Sequence, residues 1–286
     1  MSELQILVNG LVLGSLYACM AVGFSLVWGV LNVINMLHGS FIVLGAYISF
    51  FLYRHAGVHP FISVPIAAAA LFALGYALQR GAINRVVARP VLTTLTLTFG
   101  LDMLAYNLMI LAFSATPVRI ILDLGRVEAA GVVVPVDRLA AMLLALLLTA
   151  VLYAVMRGSK IGRAIVAVRM DRDAATLMGI RVERIYATTF ALGALMAGAA
   201  GAMLALIFPI SPTMSGQYLG KVFIVCVLGG LGNVPGALAG GFVLGLVEAF
   251  AGVYLGPQNA MTMGYLLMLL LLLVRPTGLM GRKGYE

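Results

Sequence analysis

Apolar residues run along this chain in blocks longer than the elements of a soluble domain, and the polar positions fall mostly between them. The blocks lie at residues 4–28, 37–53, 61–79, 92–114, 138–156, 187–208, 218–252 and 260–274. Since about 20 helical residues cross the hydrocarbon core of a bilayer, each block is long enough to form a span or most of one. The blocks show little two-residue alternation of polar and apolar positions, which argues for helices over a barrel. The pattern predicts an all-α, polytopic membrane helix bundle of about eight to ten spans, with residues 1–286 forming a single transmembrane domain.

Two places break the pattern. NVINMLHGS, residues 32–40, sets Asn32, Asn35, His38 and Gly39 between apolar runs, in a stretch with no lysine or arginine before Arg54. VLGGLGNVPGALAGG, residues 227–241, sets Gly230, Gly232, Asn233 and Pro235 inside a block too long for one straight helix. Two shorter helices joined by a turn at 232–235 would fit the bilayer. Backbone groups freed at such breaks must be buried in protein or face a water-filled cavity. One interrupted segment in each half is the pattern of a transport pathway between two repeats, so an inverted repeat is expected, although no internal similarity is strong enough to align. Asn32, Asn35 and His38 can satisfy one another and the exposed backbone at a turn, or they can meet a solute. The residues alone leave both readings open.

Composition agrees with the pattern: 10% of the 286 residues are charged, 63% are hydrophobic and the mean hydropathy is +1.09. The net charge of +8 lies in short segments between blocks, which speaks of membrane topology and not of nucleic acid. Arg80, Arg85 and Arg89 form one basic segment, seven basic residues between 157 and 184 a second, and Arg275, Arg282 and Lys283 a third. The positive-inside rule assigns all three to the cytoplasm. The loop at 115–137 is expected outside, with its VVVPV run after GRVEAAG suited to a small hairpin. Counting spans back from Arg80 puts the amino terminus outside, and the lack of a basic leader suggests a retained first span.

The chemistry of an enzyme is missing from the motifs. There is no GxxxxGK[ST], HExxH or GxSxG, and His38, His55 and His59 are not at ligand spacing. No catalytic residue, cofactor or metal site is expected in this chain. Asp102 and Glu248 are the acidic residues inside blocks, a sparse inventory for a proton-driven carrier, where buried carboxylates pair with basic partners. Cys19 and Cys226 read as small buried hydrophobes. Gly193, Ala197, Gly201 and Ala205 recur every four residues, as do Gly232, Gly236 and Gly240, a spacing that lets helix backbones approach closely in lipid.

The longest charged stretch, at 157–186, has helical character from Arg163 to Met178. Asp171 or Asp173 can cap a short final helix, and Gly179 is a plausible stop. Ala174 and Ala175 give that helix a low face, with Leu177, Met178 and Ile180 as apolar anchors, a form suited to a groove on a soluble partner.

DAATLMGI, residues 173–180, resembles the "EAA" loop by which permease subunits of ABC importers seat on their ATP-binding subunits, with Ala174, Ala175 and Gly179 at matching places. The resemblance extends along nearly the whole chain. NGLVLGSLYACMAVGFSLVWGVLNVINMLHGSFIVLGAY resembles the opening of the H-type permease of branched-chain amino acid importers, with its Asn-x-x-His-Gly signature at Asn35, His38 and Gly39. VLGGLGNVPGALAGG and LLLVRPTGLMGR resemble later signatures of that family, whereas Met36 and Leu37 depart from its common Phe-Ala. The resemblance implies a permease in the bacterial cytoplasmic membrane that moves branched-chain amino acids inward. It also implies a second homologous permease, two ATP-binding subunits that hold ATP and Mg, an extracytoplasmic solute-binding protein and surrounding membrane lipid, with no role for nucleic acid. A sister importer for urea, short amides or other amino acids shares the architecture, and a structural subunit without its own pathway is the reading from another class.

Overall fold

A computed structural model of the chain describes residues 2–122, 124–129 and 131–281. The expected basic positions Arg282 and Lys283 lie outside the described residues. Among those described, eleven α-helices follow in order: α1 (Glu3–Leu31), α2 (His38–Ala56), α3 (Pro60–Gly81), α4 (Val91–Phe113), α5 (Val136–Gly158), α6 (Lys160–Met170), α7 (Arg172–Leu177), α8 (Val182–Ile207), α9 (Ser215–Gly229), α10 (Val234–Tyr254) and α11 (Pro257–Val274). Strands β1 (Arg126–Ala129) and β2 (Val132–Pro135) pair antiparallel between α4 and α5. The expected hairpin is present there. Gln5 near the start of α1 holds it, donating to the Val133 carbonyl at 3.0 Å and accepting from the Val133 amide at 2.8 Å.

Seven of the described helices, α1, α3, α4, α5, α8, α10 and α11, are long and apolar enough to cross a membrane. The remaining blocks differ for physical reasons. Helix α2 opens on His38 and ends with Arg54 and His55, which lowers its apolar content. Block 218–252 is divided between α9, only 15 residues long, and α10.

The helices run alternately between two ends of the bundle. One end carries the β hairpin, and the other carries Arg80, Arg157 and the α6–α7 segment. Helices α1 and α8 are almost wholly buried and form the centre. Helix α1 packs chiefly on α10, and α8 on α3, while α1 and α8 also touch each other.

Small residues make these contacts possible. A Cβ on Gly23 would meet the Gly193 carbonyl at 2.8 Å, one on Gly75 would meet Ala194 Cβ at 2.6 Å, and one on Gly241 would meet the Ala18 amide at 2.6 Å. Gly201 lies directly against the backbone of Ile42 and Gly45 against that of Gly198, which seats α2 on α8. In lipid no hydrophobic drive pulls helices together, so many small dispersion contacts at close range must do so. The four-residue spacing in α8 thus serves several helices at once.

Candidate functional site

The first break holds the segment 32–37. Helix α1 ends at Leu31, where Asn32 adopts a left-handed φ of 52° and its amide donates to the Trp28 carbonyl at 3.0 Å. The chain then turns back into the bundle. His38, the first residue of α2, donates from Nε2 to the Met20 carbonyl at 3.0 Å. Met20 lies eleven residues before the end of α1, or about 17 Å along its axis at roughly 1.5 Å per residue. The segment 32–37 therefore re-enters the bundle, and it closes in a turn in which the His38 amide donates to the Asn35 carbonyl at 3.2 Å.

Thr98 of α4 ties that segment in place. Its hydroxyl donates to the Ile34 carbonyl at 2.9 Å and accepts from the Met36 amide at 3.4 Å. One turn further along α4, Asp102 accepts a hydrogen bond from Ser40 in the first turn of α2. Backbone groups freed by the break are thereby met by side chains of a neighbouring helix.

A second re-entry follows α8, at 208–214, and sequence patterning missed it. Ser215, the first residue of α9, sits against Gly39, so close that any Cβ on Gly39 would strike the Ser215 carbonyl. Ile207 ends α8 six residues beyond Gly201, which touches Ile42, itself three residues beyond Gly39, so at roughly 1.5 Å per residue the chain descends about 14 Å to reach Ser215. Ile210 is pinned by an antiparallel bridge to Val118, and Ser211 donates to the Ala115 carbonyl at 3.0 Å. Pro209 and Pro212, which interrupt helical hydrogen bonding, were the available signal.

The second break, expected at 232–235, is a turn at 230–233 between α9 and α10, and it lies elsewhere in the bundle. Gly230 and Gly232 adopt φ of 100° and 76°, and Gly232 packs on Gly29 near the end of α1 and faces Arg169 of α6. This is a turn at the α6–α7 end of the bundle, not an interior break. Asn233 caps α10, accepting from the Gly236 amide at 3.3 Å, and donates to the Met280 carbonyl at 2.7 Å. A turn at a bundle end still shortens the two helices, which is why block length together with the glycines and proline located it.

Thus the N-termini of α2 and α9 meet deep in the bundle, and neither has a side-chain cap. Each presents the positive end of its helix dipole to the junction. Asn35 is 1% exposed with neither amide atom bonded, and Nδ1 of the fully buried His38 is also without a partner. Phe24 closes edge-on against the His38 ring at 5.5 Å. The junction therefore holds unused hydrogen-bonding capacity. Asn32 stands apart from it, exposed in a cleft of about 330 Å³ with Arg89, Thr94, Asp171, Arg172 and Tyr186.

A third polar cluster joins α1, α9 and α10. Lys221 Nζ lies 2.8 Å from Glu248 Oε2 and 2.7 Å from Tyr17 Oη, and Tyr17 donates to the same Glu248 oxygen at 2.6 Å. Glu248 therefore has the basic partner that the reading of isolated acids overlooked. A lone lysine in a 35-residue apolar block was the missed signal, and intramembrane ionisable residues are functional candidates by default.

At the α6–α7 end the expected caps are present. Asp171 Oδ1 accepts from the amides of Asp173 and Ala174, both at 2.9 Å. Gly179, at φ 80°, donates to the Thr176 carbonyl, and Ile180 donates to that of Ala175, the paired bonds of a Schellman stop. Arg163 reaches the Gly158 carbonyl at 3.3 Å. Leu177 and Met178 are 89% and 83% exposed, while Ala175 is buried.

His38 is expected to act through neutral hydrogen bonds that orient the re-entrant segment. His38→Gln, which keeps a donor and an acceptor, should retain most transport with an unchanged pH profile. His38→Leu removes the side-chain bond that ties the start of α2 to the Met20 carbonyl of α1, and should lower transport several-fold. Initial uptake rates across pH 6 to 8, roughly the range of histidine titration, check the pair.

The sequence model of the family described as "Branched-chain amino acid transport system / permease component" matches residues 6–274. The high-affinity branched-chain amino acid transport system permease protein BraD of Pseudomonas aeruginosa is 32% identical over 99% of this chain and 97% of its own length. LivH of Escherichia coli, of the same description, is also 32% identical with the same coverage. A probable branched-chain amino acid transport permease protein LivH of Methanocaldococcus jannaschii is 27% identical over 98% of this chain and 93% of its own. Among solved structures, PsaBC from Streptococcus pneumoniae in complex with Fab is similar in fold, with a TM-score of 0.52, 14% identity, and coverage of 96% of this chain and 94% of that one.

Proposed function

The chain belongs to the family of branched-chain amino acid transport permeases, and on that premise we propose how it works within an ATP-driven importer. It is a transmembrane permease subunit, integral to the cytoplasmic membrane, and it acts in a complex with other subunits. Those subunits are a second homologous permease, two ATP-binding subunits that carry ATP and Mg, and an extracytoplasmic solute-binding protein. The cargo is branched-chain amino acids, moved inward. The observation that carries this reading is family similarity along nearly the full chain, joined to a capped, exposed α6–α7 segment.

The segment 157–186 docks an ATP-binding subunit. Ala174 lies in the first turn of α7, whose Asp171 cap and Gly179 stop fix its ends, and Leu177 and Met178 offer apolar anchors to a groove. Arg163, Asp173 and Ile180 belong to the same face of the assembly. The loop at 115–137 faces the solute-binding protein. Movement of α7 reaches the re-entrant segment directly, because Asp171 and Arg172 share one cleft with Asn32. Arg169 also faces Gly232, at 3.6 Å from a Cβ placed there, so the α9–α10 turn moves with it.

Seven full-length helices and two re-entrant pieces, each a connecting segment followed by α2 or α9, make nine crossings of the membrane. An inverted repeat relates α1–α2–α3 to α8–α9–α10. Supporting it, α1 packs on α10 as α8 packs on α3, the corresponding helices run in opposite directions, and α2 meets α9 at their N-termini. The junction at Asn35, His38 and Gly39 is then the pseudo-axis of the repeat and the moving part of the pathway.

Uptake by the reconstituted five-subunit importer, measured against leucine, isoleucine, valine, urea and short amides, tests the substrate. Leucine, isoleucine and valine should be taken up and should compete with one another. Uptake of urea or amides in their place would assign the chain to a sister importer.

A further inference from the structure

The ion pair between α9 and α10 is half used. Glu248 is 7% exposed, and while Oε2 accepts from both Tyr17 and Lys221, the buried Oε1 has no partner. Lys221 has three protons and spends two, on Tyr17 Oη and Glu248 Oε2. It is 17% exposed, so the remaining proton can be reached. A free acceptor and a free donor therefore sit side by side on one pair, deep among apolar residues.

Glycines open the wall beside this pair. Gly216 has nothing near its missing side chain and is exposed, as is Gln217 one helical turn before Lys221. Gly220 leaves room that the Tyr265 hydroxyl of α11 enters, and Gly264 of α11 lies beside Glu248 Oε1, at 3.9 Å from a Cβ placed there. Helix α11 is the least buried of the long helices, so the cover over the pair is held by few neighbours.

An α-amino acid carries an ammonium and a carboxylate one carbon apart. An isolated ion pair in hydrocarbon is costly and is better replaced by apolar residues unless something else uses it. We propose that Lys221, Glu248 and Tyr17 form a zwitterion-binding subsite of the permease, in which Glu248 Oε1 takes the ammonium and the spare Lys221 proton the carboxylate. Tyr17 is a positioning residue, holding Oε2 so that Oε1 stays turned to the cargo. The apolar side chain lies along the α9 face by Gly216 and Gly220. The inference rests on the branched-chain amino acid reading above.

Saturation-transfer NMR on the assembled permease and ATPase complex, without the solute-binding protein, reads weak binding of leucine directly. Saturable leucine binding is expected, competed by valine but not by 4-methylpentanoate, which lacks the ammonium, or by isoamylamine, which lacks the carboxylate. Lys221→Met with Glu248→Met removes both charges together, so neither is left unpaired, and co-purification with the ATP-binding subunits reports folding. Leucine binding should fall at least tenfold in that variant while the complex stays assembled. No saturable binding in any nucleotide state, binding retained in the double variant, or equal competition by either half-analogue would overturn the subsite. If the double variant does not assemble, Glu248→Gln replaces it, and retention of the wild-type preference for leucine over 4-methylpentanoate would count against the proposal. A wild-type importer that takes up leucine without showing this binding refutes the subsite alone, whereas one that takes up urea and not leucine refutes the substrate reading beneath it.

Discussion

Gly201→Val yields little or no folded permease. A Cβ at this position would drive into the carbonyl of Ile42, with the carbonyl carbon at 2.7 Å and the Ala46 amide at 3.1 Å. These are backbone atoms of α2, so no rotamer change relieves the clash. Overpacking a core typically costs about 1–3 kcal/mol, and a backbone obstacle places this case at or above the upper end. Because α2 also bears the first re-entry, displacing it from α8 pulls His38 from Met20 and Ser40 from Asp102. Gly100→Ala is the matched control. Gly100 is exposed in α4 with nothing within 4 Å of a Cβ, so alanine there should gain about 1 kcal/mol of helix propensity. Yield and thermal unfolding of the detergent-solubilised protein separate the two.

Gly179→Val produces the opposite phenotype, an intact bundle with failed coupling. Nothing lies within 4 Å of a Cβ on Gly179, so no clash arises, but the φ of 80° is strained for a β-branched residue. The left-handed conformation costs such a residue about 1–2 kcal/mol, enough to release the bonds to Thr176 and Ala175 and fray α7. Leucine uptake per ATP hydrolysed should fall about tenfold, the equivalent of roughly 1.4 kcal/mol of coupling. Gly179→Asn should retain most coupling, since asparagine enters the left-handed region readily. Unchanged uptake and unchanged assembly in the valine variant would remove α7 from the coupling role.

Local features of this molecule were legible because their causes are local. Asp171 and Gly179 announce the two ends of α7 through caps that depend on a few neighbouring residues. The polar run from Asn32 to His38 marked the first re-entry, since amides amid apolar residues signal a broken helix. What depended on distant packing stayed hidden. The turn at 230–233 was visible as glycines and a proline, but its depth is set by Gly29, Arg169 and Met280 from three other segments. The re-entry at 208–214 lies just past the end of the block at 187–208, where a proline is equally at home after an ordinary helix end. Lys221 was diluted by its apolar surroundings, and its partners Glu248 and Tyr17 stand 27 and 204 residues away.

The central claim is that this chain is driven by ATP-binding subunits and is not a carrier in its own right. Its most direct test is leucine uptake into proteoliposomes holding the five subunits, with ATP trapped at the face that binds the ATPases and a protonophore present. Uptake that requires ATP and every subunit, and that persists when ion gradients are collapsed, is the predicted result. Uptake by this chain alone, driven by an ion gradient and indifferent to ATP, would contradict it.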